Sequence, residues 1–163
     1  MKKGWHGEIE CVCRDAQGNI KWQETITNAL ADEGEEQILD VYLRGATAPS
    51  NFYLRLYNDT PAETDTLALL TGEASGNGYA AVTLAATNVG WPTLALNSGD
   101  FMATSATATY TASGGNIGPV TYVVLATAET GTSGKLVAYA ALSQTRTLAN
   151  GETLDLTYKV KLQ

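Results

Sequence analysis

Catalysis needs titratable or nucleophilic groups that converge, and this sequence offers few. His6 is its only histidine, so a Ser-His-Asp or Cys-His system would have to be built on it. Glu8 follows two residues later on the same face of what reads as a strand, the setting of a solvated edge histidine. Asp59, Glu63, Asp65 and Asp100 are the carboxylates that a glycoside hydrolase could place across a scissile bond. All four stand in turn-like contexts, where Asp bonds to its own neighbourhood. Loop 58–65 carries oxygen ligands but lacks the alternating spacing of a calcium loop. Cys11 and Cys13 lie two apart on a strand and point the same way, which opposes a bridge between them. Zinc would need further partners, and only His6 is on offer, so the thiols read as small buried hydrophobes. Gly76-Asn77-Gly78 precedes a strand rather than a helix and reads as a turn, not a phosphate cradle. The expectation is a non-enzyme with no catalytic residue, no cofactor and no metal site.

Aromatic side chains are the other means of recognition. Trp5, Trp22 and Trp91, with eight tyrosines, could form a stacking platform for sugars. Trp5 and Trp22 fall on the apolar faces of their strands, which favours core or interface packing. The interface candidates are Trp5, Ile9, Trp22, Tyr79, Trp91 and Tyr110.

The elements that must position these residues are mostly strands. Trp5, Gly7, Ile9, Cys11 and Cys13 alternate with His6, Glu8, Glu10 and Val12, a period of two. Asp15-Ala16-Gln17-Gly18-Asn19 supplies a turn, and Ile20, Trp22, Glu24 and Ile26 resume the alternation, predicting a hairpin. Asp32 and Glu35 have capping-box spacing. Ile38, Leu39, Tyr42 and Leu43 form one apolar stripe, and Gly45 stands where a left-handed C-cap belongs. This predicts a helix over about 32–44, packed on a sheet. Beyond it come strand patterns at 52–57, 79–84, 103–112, 122–127, 136–142 and 154–162. The segments 122–127 and 136–142 are apolar on both faces, as central strands are. The expected fold is mainly β: an antiparallel β-sandwich or jelly-roll-like domain with one short helix. A single domain, 1–163, would divide into an N-terminal hairpin arm, 1–27, and a sandwich, 28–163.

Composition narrows the partners. The 163 residues include 10 Lys and Arg against 17 Asp and Glu, a net charge of -7. Nucleic acid and anionic membranes need a basic footprint that this chain lacks. No apolar run approaches the roughly 18 residues of a membrane span. Lys2 and Lys3 lead into Gly4, Trp5, His6, Gly7 and Glu8 rather than the apolar core of a signal peptide. Charge is also uneven: between Ala74 and Ala128 the only charged residue is Asp100. Such a stretch reads either as a wet threonine face or as a surface covered by another subunit, since charge is depleted at interface centres.

Several motifs occur in a telling order. Phe52-Tyr53-Leu54-Arg55-Leu56-Tyr57 is followed by Glu73 ahead of Gly76-Asn77-Gly78-Tyr79, then by Trp91. Gly118-Pro119-Val120-Thr121-Tyr122-Val123-Val124-Leu125, Gly134-Lys135-Leu136-Val137-Ala138-Tyr139 and Asn150-Gly151-Glu152-Thr153-Leu154 complete the series. From about residue 24 onward the chain resembles a family of small all-β structural proteins of tailed bacteriophages. Many relatives carry arginine shortly after the Gly-Tyr, where Ala80 and Ala81 stand here. The resemblance implies a virion component, assembled in the host cytoplasm: a head decoration (cement) protein that binds the major capsid protein as a homo-oligomer, with a trimer favoured. The alternative is a minor tail, neck or fibre-associated protein acting as a carbohydrate- or receptor-binding module.

Overall fold

The computed structural model describes residues 5–162; Lys2 and Lys3, weighed above for a leader, lie outside the described residues. β1 (Trp5–Arg14) and β2 (Ile20–Leu30) form the expected hairpin. Its turn closes on the Asp15 carboxylate, which accepts the backbone N–H groups of Gln17 and Asn19, each at 2.9 Å. Next come α1 (Asp32–Arg44), β3 (Asn51–Tyr57), a short 3-10 turn at Leu67–Leu69 and β4 (Val82–Ala85). β5 (Thr93–Asn97) and β6 (Asp100–Thr104) make a second hairpin, followed by β7 (Ala108–Thr111). β8 (Ile117–Ala126), β9 (Leu136–Leu148) and β10 (Thr153–Leu162) complete the chain.

Every pairing is antiparallel, in the order β4-β3-β8-β9-β2-β1-β10-β6-β5, with β7 also on β10. β2 is the corner. Its residues up to Thr27 pair with β1, and Asn28–Leu30 pair with β9. One continuous sheet therefore curls into two facing halves, a sandwich-like arrangement. Between them lie Ile9, Cys11 and Cys13 of β1, Leu54 and Leu56 of β3, and Leu154, Leu156 and Tyr158 of β10. The N-terminal hairpin is thus interior to the sheet, with β1 bonded to β10 on one side and β2 on the other.

β8 and β9 are covered on both faces, as their apolar runs predict. Val123 and Leu125 face the inter-sheet core. Val124 and Ala126 face a second cluster with Ala31, Tyr57, Leu67 and Leu136. The expected strand over 103–112 is broken where Ser105 turns inward, its Oγ accepting the Tyr158 N–H at 2.9 Å. Its halves, β6 and β7, both stay on β10.

The helix has the predicted limits but not the predicted contacts. Ala31 is its N-cap and no side chain caps it, so the Asp32–Glu35 box does not form. Glu33 reaches elsewhere, accepting the N–H groups of Leu67 and Leu136 at 3.0 and 2.7 Å. Gly45 does take the left-handed C-cap, at φ 75°. Most of the apolar stripe does not pack on the sheet: Ile38 is half-buried, but Leu39, Tyr42 and Leu43 are 55%, 86% and 70% exposed. The contact side is set instead by Gly34, buried where a Cβ would stand 2.2 Å from the Val137 carbonyl oxygen. Only glycine lets the two backbones approach, and that rolls the stripe outward. Gly34→Ala forces helix and strand apart and should cost about 1–3 kcal/mol in chemical denaturation, the usual range for overpacking; an unchanged midpoint would refute this account.

Candidate functional site

The structure disperses the groups that could have done chemistry. Asp59 folds its own loop, accepting the N–H groups of Thr71 and Gly72 at 2.9 and 3.1 Å. Asp65 accepts that of Ala62 at 2.8 Å. The Glu63 carbonyl takes the Asp32 N–H at 2.8 Å, while Asp100 faces Asn97 across the β5–β6 hairpin. His6 sits on β1 opposite Lys161 and lines a polar groove with Glu8, Thr27, Asn97 and Lys159. Cys11 and Cys13 are free buried thiols. Burial pushes the Cys11 thiol up to about 12, with the Glu24 carboxylate adding to the effect. Among the described residues, no three His, Cys, Asp or Glu gather as a metal site would require.

The motifs converge instead on a polar framework around β3. Arg55, 1% exposed, extends from the strand under the neighbouring loops. Its Nε donates to Glu73 Oε1 at 2.8 Å and its Nη2 to Glu73 Oε2. Its Nη1 donates to the carbonyls of Ala128 and Gly131 at 3.3 and 3.0 Å. Burial opposes the guanidinium charge, but the Glu73 hydrogen bonds outweigh it and hold Arg55 protonated. Tyr79 Oη donates to Glu73 Oε1 at 2.9 Å and accepts the Leu56 N–H at 3.1 Å, where β3 has run past β4. Burial raises the Tyr79 phenol far above its ordinary range, so it stays a donor. Its ring stacks on that of Tyr110 at 5.9 Å, and Tyr110 Oη donates to the Leu54 carbonyl at 2.7 Å. Gly76, Asn77 and Gly78 all have positive φ. The turn they make docks Asn77 on the next loop, where Nδ2 donates to the Asn116 carbonyl at 2.6 Å.

A second ion pair explains the acid on the apolar face of β2. Glu24 is bound by Arg146 at 3.0 Å, with the two side chains 12% and 15% exposed. The Arg146 guanidinium also lies 4.1 Å from the centre of the Trp22 ring, a cation–π contact. Burial would raise the Glu24 carboxyl, but the bonds from Ser143 and Arg146 hold it below its ordinary 4.5.

The interface candidates divide by depth. Ile9 and Tyr110 lie between the two halves of the sheet. Tyr79, Trp22 and Trp91 are half-buried against that core. Trp91 meets Phe52 and Tyr158 edge-on, at 6.5 and 6.0 Å between ring centres. Trp5 is half-buried as well, and its indole N–H donates to Tyr158 Oη at 3.5 Å. The large apolar side chains that do face outward are others, among them Leu94, Leu96 and Phe101 on the β5–β6 hairpin. A period-two run ahead of Asn97-Ser98-Gly99-Asp100 was the available sign of that hairpin. Ser98 and Gly99 take the positive φ values that a two-residue turn demands.

Two outcomes test this framework. Glu73→Ala strands the buried Arg55 cation and should cost about 3–5 kcal/mol, whereas Arg55→Met leaves an acid that water can reach and should cost less. Equal losses in urea denaturation would contradict the assignment. Glu24 has a lower pKa folded than unfolded, so its contribution is complete above about pH 4.5 and disappears as pH falls below it. Glu24→Gln should therefore flatten the acid limb of the stability profile, and an unchanged limb would count against it.

Comparison with known proteins agrees with the motif series. A family model described as podophage GP4 fiber I protein gp80 matches residues 18–160. No curated protein matches the chain. The matched span contains the Arg55–Glu73–Tyr79 framework, the Gly34 contact and nine of the ten strands nearly whole. The chain therefore belongs to the podophage GP4 fiber I protein gp80 family, and with it to the structural proteins of the tailed-phage virion.

Proposed function

We propose that the protein is a non-catalytic building unit of the fibre apparatus, attached to its neighbours by non-covalent contact. The observation that carries this reading is where the charged groups are used. Arg55–Glu73, Glu24–Arg146 and Lys21–Glu152 each bind one segment of the fold to another. Glu33, Asp59 and Asp65 fold their own loops or fasten the helix to the sheet. A domain that spends its charges on rigidity and keeps large apolar side chains outside is suited to holding neighbours rather than turning over a substrate. The family's fibre description supports attachment at the tail.

A second reading, decoration of the head shell against the major capsid protein, draws support from the domain's form. It is one sandwich-like unit with no repeated segment, a shape suited to a cap as well as to a fibre base. Either role would stabilise the assembly by mass action, since contacts made only in the finished particle favour that particle. Gold-labelled antibody on purified virions separates the two. Label at the tail is the expected result, and label spread over the head would establish decoration instead. Particles free of the protein would overturn both.

A further inference from the structure

Across the β5–β6 hairpin Leu94 faces Ala103 and Leu96 faces Phe101, and Ala103 faces Val160 on β10. Residues directly opposite one another share a face of the sheet, so this is the face that elsewhere forms the core. One step further along, Phe101 comes beside Leu162, the partner of Trp5 on β1. Leu96, Phe101, Leu162 and Trp5 thus form one apolar row across four strands. The opposing half of the sandwich does not cover it: Leu94, Leu96, Phe101 and Leu162 are 70%, 66%, 62% and 69% exposed.

The row does not stop at β1. Trp5 and Leu162 line a groove with Leu30, Ile38 and Leu39, and Glu35 is the one charged residue on its wall. Leu39 then leads to Tyr42 and Leu43, the outward-rolled stripe of the helix. Hairpin, groove and helix stripe make one band. Side chains of this size at these exposures leave on the order of 1,000 Å² uncovered, more than the ~300–600 Å² of the largest patch on an ordinary monomer and close to the ~800 Å² one partner contributes to a stable complex.

We propose that this band is where copies of this chain pack on one another. The proposal rests on the structural role argued above and names the partner of that surface. Residues 93–99 carry no charge, so the band calls for a counter-surface equally neutral, apolar and large, and the chain's own band is one. β5 is also an edge strand without lysine or proline among its five residues. Such an edge is open to pairing with a second chain.

Sedimentation velocity of the full chain at micromolar concentration tests the proposal. The wild type should sediment as an oligomer. Leu96→Asp on the hairpin and Leu39→Lys on the helix should each weaken self-association by about 30-fold or more while keeping the thermal midpoint. Thr111→Lys, on the outer face, should leave the oligomer intact. Should one of the two band variants fail to fold, the other carries the test. A monomeric wild type, or folded band variants that stay assembled, would overturn the proposal. A monomer whose Leu96→Asp variant no longer joins virions would assign the band to a different virion protein, refuting self-association while leaving the structural role standing. Absence of the wild-type protein from virions would do the reverse.

Discussion

A cation with almost no exposure has to be surrounded by acceptors, and much of this fold is arranged to surround Arg55. Burying an unpaired charge costs several kcal/mol, so the strand that carries it has to be met by acceptors from two other segments. Glu73 supplies both carboxylate oxygens, and the β8–β9 loop supplies two carbonyls. Tyr79 then joins Glu73 to the free edge of β3, taking up an N–H that β4 is too short to receive. Tyr110 binds the Leu54 carbonyl from the facing half of the sheet. Segments far apart in sequence are brought into one register by the need to leave no buried donor or acceptor unmatched.

The motif residues are thereby bonded into the framework of the fold. Phe52–Tyr57, Glu73 and Gly76–Tyr79 meet because each satisfies a polar group another would leave buried. Glu24 and Arg146 do the same between β2 and β9. Charge turned inward also bears on the unusual surface. With few charges to spare over residues 74–128, the hairpin at 93–104 keeps Leu94, Leu96 and Phe101 in the open, and the helix adds Leu39, Tyr42 and Leu43. An exterior of this kind suits a protein that works inside a larger assembly.

Much of the fold was legible in short-range pattern. Alternation at 5–13 and 154–162, the doubly apolar runs at 122–127 and 136–142, and Gly45 after an apolar stripe each report a local preference of the backbone, which survives in the folded chain. The breaks in that pattern were not legible. Ser105 interrupts a strand because it turns toward Tyr158, a residue more than fifty positions away. The β5–β6 hairpin gave a weaker signal, since its apolar residues alternate as core residues do while standing in the open.

The sequence by itself determined the strand-rich architecture, the limits of the helix over 32–44 and, through the order of its motifs, a place among the structural proteins of tailed phages. Only the tertiary structure decided what those motifs are for and which apolar residues stay outside. The helix stripe looked like a packing face until Gly34 met the Val137 backbone and rolled it toward solvent. The six aromatic and aliphatic interface candidates are buried or half-buried, and of them only Trp5 reaches the band, whose exposed side chains are leucines, one phenylalanine and one tyrosine. Periodicity reveals that a residue has an apolar side; whether anything lies over that side depends on how far the opposite half of the sheet extends, and that is a property of the whole chain.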